Sequence, residues 1–294
     1  MKEISKKEYS KFPVPVVAYG PGSQPEADDV NFLPMPSDMD TFTMPTAHLE
    51  ADPATLAVAC ELLQELYVGM KEAAAGHLQQ VQIDLAGVAP NVVELINQSL
   101  GHGEVSILVR GVLNFHSQEA IFAGSWRVQE LSSEGVLQRD SICAAAIPEV
   151  VQQYAAMAAS SGVTPPPMND GIMNAPAILN ELQDRSRNYH IGHAAHVINL
   201  SLVPMSQADM VYLVQALGAG AVTILSRGYG NCRITSTGLA HVWWVQYFNS
   251  MDQIILDTLE VVDVPEVAQA AKDDYADSIE RLGEWLNVMQ EETV

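Results

Sequence analysis

A chain of 294 residues is long enough for two ordinary cores, and an apolar fraction of 48% suits a globular body. The formal net charge of −22, from 14 basic and 36 acidic residues, argues against nucleic acid or anionic lipid as a partner; it suits cations and basic peptides, or serves solubility alone. No run of eighteen apolar residues occurs and no apolar signal core follows the basic start, so neither a membrane span nor export is expected, and the expected address is cytoplasmic.

Residues 1–48 form a proline-rich arm with Pro13, Pro15, Pro21, Pro25, Pro34, Pro36 and Pro45, a density that excludes long helices. Asp52-Pro53 reads as a helix start, and Leu56, Cys60, Leu63 and Tyr67 give the helix that follows, as far as about Ala75, one buried face. Val81 to Leu85 alternates as a strand, and Asn91 to Leu100 is a short helix. Strands are expected near 104–111, 119–131 and 135–145, then a helix from Pro148 to Ala159. Residues 161–167 have linker composition. The same order then returns: a helix from Ala175 to Arg187, a strand from His196, a helix from Ala208 to Leu217, strands near 221–228, 237–248 and 253–262, and a helix opened by Pro265. From Asp263 onward acids dominate, and residues 278–294 are expected to be an acidic tail, helical and ending in a frayed terminus.

The second passage repeats the first in sequence as well as in order. Gly101-His102-Gly103-Glu104-Val105-Ser106-Ile107-Leu108-Val109-Arg110-Gly111 returns as Gly218-Ala219-Gly220-Ala221-Val222-Thr223-Ile224-Leu225-Ser226-Arg227-Gly228, an offset of 117 residues. Trp126 falls on Trp243, Asp140 on Asp257, and Pro148-Glu149-Val150 on Pro265-Glu266-Val267. The expected fold is α+β: two tandem repeats of about 117 residues, 49–160 and 168–277, each with mixed or antiparallel strands and flanking helices, related by a pseudo-twofold axis.

Residues present in one repeat only are where function is best sought. Around Trp126 the strand has a core face and a wet face; around Trp243 the second face carries Val242, Trp244 and Phe248. Either internal packing or a partner must cover it. The turn Gly228-Tyr229-Gly230-Asn231-Cys232-Arg233 adds a glycine, a thiol and a guanidinium, and Arg233 would favour thiolate at Cys232; a small packed thiol is the alternative. Tyr229, Asn231, Cys232, Arg233, Val242, Trp244 and Phe248 are therefore the expected partner-binding residues. The residues shared by both repeats suggest two structural pairs, Arg110 with Asp140 and Arg227 with Asp257, because a buried carboxylate needs a partner.

Cys60, Cys143 and Cys232 lie far apart in sequence, which points to neither a disulfide framework nor a zinc ribbon. His190, His193 and His196 are spaced to clamp a metal on a helix, but His196 looks like a strand start. No nucleophile–base–acid order, phosphate loop or carboxylate pair stands out, so no cofactor and no enzyme activity are expected.

The run from Gly228 to Ile234, then Trp243-Trp244-Val245-Gln246-Tyr247-Phe248-Asn249-Ser250-Met251-Asp252, then Ile255 to Val261 and Val264-Pro265-Glu266-Val267, resembles the HupH/HyaF family, to which the HoxQ proteins belong. Gly20-Pro21-Gly22-Ser23-Gln24-Pro25, Met35-Pro36 and Met39 resemble that family's opening. The resemblance implies an accessory role in maturation of a nickel–iron uptake hydrogenase. The chain would act as a chaperone of the iron–sulfur small-subunit precursor before assembly and export, beside a thioredoxin-like companion. The alternative is a metal or cluster carrier for nickel or iron–sulfur insertion, using Cys232 with His190, His193 and His196. The family supplies no catalytic residues to carry over.

Overall fold

The computed structural model describes residues 51–76, 80–228 and 230–292. The proline-rich arm lies outside the described residues. Helix α1 (Pro53–Ala74) starts where the sequence predicts: the Asp52 carboxylate accepts from the backbone N–H groups of Ala54 and Thr55, both at 3.1 Å, and proline fills the first helical position. Strand β1 (Val81–Asp84) and helix α2 (Pro90–Leu100) follow. A Cβ at Gly69 would stand 2.8 Å from Val81 Cβ, so glycine lets α1 lie directly on β1.

Four strands come next: β2 (Val105–Val109), β3 (Asn114–Glu119), β4 (Ser125–Leu131) and β5 (Leu137–Ala144). Helices α3 (Glu149–Ala158) and α4 (Ala175–Asn188) lead to β6 (His196–Asn199), a 3-10 turn at Leu200–Leu202, and α5 (Gln207–Leu217). A second run of four strands follows: β7 (Val222–Ser226), β8 (Asn231–Ser236), β9 (Val242–Phe248) and β10 (Ile254–Val261). A 3-10 turn at Glu266–Ala268 precedes α6 (Lys272–Glu292). The class is mixed α+β. No helix among the described residues is long and apolar enough to cross a membrane.

All ten strands form one sheet in the order β1-β5-β4-β3-β2-β7-β8-β9-β10-β6, and every neighbouring pair is antiparallel. The order reads outward in the same sense from the β2–β7 contact, where Ile107 lies opposite Ile224. On one face of the sheet, Ile107, Val109, Trp126, Ile224, Ile234 and Trp243 build a central core closed by Ile147, Val151 and Val264. Both tryptophans are fully buried and satisfied: Trp126 Nε1 donates to Ala145 O at 2.9 Å, and Trp243 Nε1 to Asp263 O at 3.0 Å. On the other face, α1, α2 and α6 cover Ile142 and Ala144, while α4 and α5 cover Val242, Leu259 and Val261.

Asp209 ties α4 to α5. It completes the capping box with Ser206, and its Oδ1 also accepts from Met173 N, Asn174 N and Ala175 N at 2.8–2.9 Å. Burial alone would raise its pKa, but these bonds outweigh burial and hold the carboxyl below the ordinary aspartate value.

Three sequence expectations are corrected. The segments read as turns before the tryptophan strands contain β3 and β8; their polar residues are paired into the sheet interior, so they lack the apolar alternation that marks an amphipathic strand. Pro265 opens only a 3-10 turn. The acidic tail is helical as expected, in α6 as far as Glu292, but it is no peripheral tail: Leu282, Leu286 and Met289 pack with α1 in the first core.

Candidate partner-binding site

Antiparallel register places Leu225, Arg233, Gln246 and Asp257 in one row across β7, β8, β9 and β10. Arg233 donates to Gln246 Oε1 at 3.0 Å, and Gln246 Nε2 donates to Asp257 at 3.4 Å. The indole N–H of Trp244 donates to Asp257 Oδ1 at 2.5 Å, and Asp257 N donates to Ser201 Oγ at 2.9 Å. The Arg233 guanidinium lies 5.1 Å from the centre of the Phe248 ring. Arg233, Gln246 and Asp257 are 7%, 5% and 7% exposed, so the row is part of the interior. Burial raises the Asp257 pKa to about 6 despite the bonds from Trp244 and Gln246 and the nearby Arg233 charge. Burial also lowers the Arg233 pKa, opposed by Asp257.

The expected structural pairs are replaced. Asp140 is bridged by Arg127 on the adjacent strand β4, whose guanidinium also donates to Asn97. Arg110 sits at the exposed end of β2, with β3 and β4 between it and β5. Asp257 is served by Trp244, Gln246 and the Arg233 charge; Arg227 is exposed beyond the end of β7, with β8 and β9 between it and β10.

The expected partner residues separate into three groups. Val242 is 1% exposed beneath α4 and α5, and Trp244 packs against the same core, so this face is covered from within the chain. Cys232 points the opposite way from Arg233, because successive strand residues alternate. It is 3% exposed in the central core, and burial pushes its thiol up to about 12, which corrects the expected activation by Arg233. Asn231 and Phe248 are half-buried where β8 and β9 meet, and Tyr229 lies outside the described residues.

The histidines do not converge. His190 and His193 stand edge to face at 5.4 Å, whereas His196 opens β6 and contacts Glu181 at 2.8 Å. Among the described residues no group of three His, Cys, Asp or Glu side chains is placed to hold a metal ion.

Sequence reasoning missed the apolar residues beside this row. At the β9–β10 turn Met251, Ile254 and Ile255 are 71%, 36% and 63% exposed, and Leu202, next to Ser201, is 82% exposed. The β9–β10 register shifts between Ile254 and Leu256. At the sequence offset, Met251 and Ile255 replace Glu134 and Gln138, and that comparison is the signal that could have found them.

The chain belongs to the family described as HupH hydrogenase expression protein, C-terminal conserved region, whose model matches residues 56–161 and 172–289. Curated relatives run nearly end to end with it. It is 43% identical to hydrogenase expression/formation protein HupH of Rhodobacter capsulatus, over 96% of this chain and 99% of that one. It is 42% identical to hydrogenase expression/formation protein HoxQ of Cupriavidus necator, over 94% and 98%. It is 33% identical to hydrogenase-1 operon protein HyaF of Escherichia coli, over 91% and 95%. The solved hydrogenase expression protein HupH from Thiobacillus denitrificans is 26% identical and covers 38% of this chain and 92% of its own, at a TM-score of 0.36 that carries no argument.

Proposed function

We propose that this chain is a cytoplasmic maturation factor for a nickel–iron uptake hydrogenase and acts as a chaperone of the iron–sulfur small-subunit precursor, beside a thioredoxin-like companion. The hydrogenase assignment is supported by relatives at 33–43% identity whose names place them in hydrogenase expression and formation. The body is read as two copies of one unit about a pseudo-twofold axis. Supporting that reading are the sequence offset, the order of the sheet and the apposition of Ile107 and Ile224 at its centre.

The observation that carries the chaperone role is the exposed apolar tip of the second half, Met251, Ile254 and Ile255, next to the half-buried Phe248. A strongly acidic protein gains nothing in solubility from such a tip, and exposed apolar clusters mark binding surfaces. An accessory role rather than catalysis fits the buried, mutually satisfied row behind it. The carrier alternative lacks its central ligand, because Cys232 is enclosed in the core.

The test is co-purification from cells that express the hydrogenase subunits, with and without the small-subunit signal peptide. Capture of the small-subunit precursor in preference to the large subunit is expected. Capture of the large subunit alone, or of neither, contradicts the reading.

A further inference from the structure

The sheet ends at β6, and among the described residues no strand pairs with its outer side. The register shows which way its backbone points. Asp257 N donates to Ser201 Oγ in the turn after β6, whereas Val262 N donates to His241 O, on the β9 side, at 2.8 Å. Backbone direction alternates along an antiparallel strand, so Leu259 and Val261 face β6 while Thr258 and Glu260 face β9. Asn199 lies opposite Thr258 and Val197 opposite Glu260, so both turn their backbone N–H and C=O groups to the open side.

Exposed sheet edges are ordinarily protected by a charge, a proline or a covering loop. From Tyr189 to Val203 the chain has no Asp, Glu, Lys, Arg or Pro. Its large exposed apolar side chains are Ile191, Val197 and Leu202. The opposite edge strand, β1, instead carries exposed Gln82 and Asp84, and Asp84 is bridged by Arg139. The open edge also runs on into the apolar tip. β6 pairs with β10 only from Thr258 to Val261, and the turn after it reaches Asp257; Ile254 to Leu256 extend past both. At the sequence offset those three residues replace Leu137, Gln138 and Arg139, so the polar pair of the first half is lost. Outward backbone groups two residues apart match an added strand, with alternate side chains giving the choice of partner. Charge decides whose strand it is. A second copy would bring a further net charge of −22, and between Asn188 and Ala271 the cations are Arg227 and Arg233, against Asp209, Asp252, Asp257, Glu260, Asp263 and Glu266. A foreign segment with Lys or Arg at its ends is favoured over self-pairing.

We propose that the open edge of β6 receives an extended apolar segment of a partner polypeptide as an added strand, paired with the backbone of Val197 and Asn199 and laying side chains against Val197, Leu202 and the neighbouring tip. This deepens the chaperone reading and rests on it for the identity of the partner, not for the mode of binding.

The test is fluorescence polarisation on the full chain with a labelled peptide of alternating valine and threonine, flanked by lysine, and with two backbone-methylated versions. One carries N-methyl groups on the valines only, the other on the threonines only. A strand paired along one edge uses the N–H groups of alternate residues. One methylated version should therefore bind at least about tenfold more weakly than the parent peptide, and the other should keep its affinity. On the protein, Val197→Pro removes the outward N–H and spares the ladder to β10; it should weaken binding at least about tenfold. Gln82→Pro, the same change on edge strand β1, should not. No binding of the parent peptide, equal effects of the two methylation patterns, or equal effects of Val197→Pro and Gln82→Pro would overturn the proposal. So would a dimer of the chain, seen by sedimentation, that Val197→Pro dissolves, because the edge would then take a second copy. The methylated peptides keep the test valid if Val197→Pro fails to fold. The assay contains no hydrogenase component, so its failure sinks the added strand alone, whereas failed co-purification sinks the hydrogenase reading.

Discussion

Two rows of side chains cross the sheet at corresponding places and meet different fates. In the first half, register lines up Leu108, His116, Gln129 and Asp140; in the second, Leu225, Arg233, Gln246 and Asp257. The aspartate is common to both. In the first row its guanidinium comes from Arg127 on the adjacent strand, and His116 is exposed. In the second, Trp244 stands where Arg127 did, and the guanidinium has moved to Arg233 on the far side of Gln246. The exchange brings an indole N–H to the aspartate, whose own backbone N–H donates to Ser201 in the 3-10 turn after β6. The sheet thus carries a partly exposed ion pair on one side and a sealed polar row on the other. The sealed row supports the strands that end in the exposed apolar tip.

The largest expected effect separates the rows by aspartate deletion. Asp257→Ala leaves the Trp244 and Gln246 donors without their shared acceptor and should cost about 3–5 kcal/mol in denaturant unfolding, whereas Asp140→Ala should cost only about 1 kcal/mol, because Arg127 can reach water. Equal losses would mean that burial does not distinguish the rows.

A somewhat smaller effect is read by pH. The folded pKa of Asp257 is raised to about 6, above the unfolded value of about 3.9. Its contribution is therefore fully present below about pH 4 and is lost as pH rises through 6, on the order of 2–3 kcal/mol. Asp257→Asn should flatten the unfolding midpoint over that window relative to the unmodified chain, and Asp140→Asn should not reproduce the flattening. Asp209 has the opposite sign, being depressed: its stabilisation is present above the unfolded aspartate pKa and is lost as pH falls through the folded value.

Trp244→Phe keeps the ring and removes the N–H, so it should cost about 1–2 kcal/mol and push the Asp257 titration upward. An unshifted titration would show that the indole bond carries no weight. Smallest of all is the effect at Cys232: iodoacetamide should leave this thiol unmodified in the folded chain at pH 8 and modify it after unfolding. Rapid modification of the native protein would reopen the thiolate reading.

Much of the fold is legible wherever the signal is local. Asp52-Pro53 fixes the start of α1, and apolar spacing fixes α1, α2 and α5. The α+β class follows from the alternation of such segments. What is not legible depends on which strands become neighbours. Arg110 and Asp140 look like natural partners in sequence, yet the order β5-β4-β3-β2 puts two strands between them. Arg127 is the partner because register brings it beside Asp140, and register is a non-local property. Strands β3 and β8 escape notice because a strand paired on both edges can carry Asn, Ser and Gln inside the sheet. Helix α6 is legible as an acidic helix, but its docking in the first core is not, although Tyr275, Leu282, Leu286 and Met289 have helical spacing. At the candidate site, Trp244 and Arg233 are picked out by comparing the halves. Their mutual role is not, since it needs the Gln246 bridge.

The central claim is that the second half's tip holds another polypeptide. The direct measurement is capture of the hydrogenase small-subunit precursor by Met251→Asp/Ile255→Asp, compared with Val136→Asp/Leu137→Asp at the corresponding turn of the first half. The account predicts that the second-half pair loses capture while the first-half pair keeps it, with both proteins unfolding at the same denaturant concentration as the unmodified chain. Full capture by the second-half pair would contradict it.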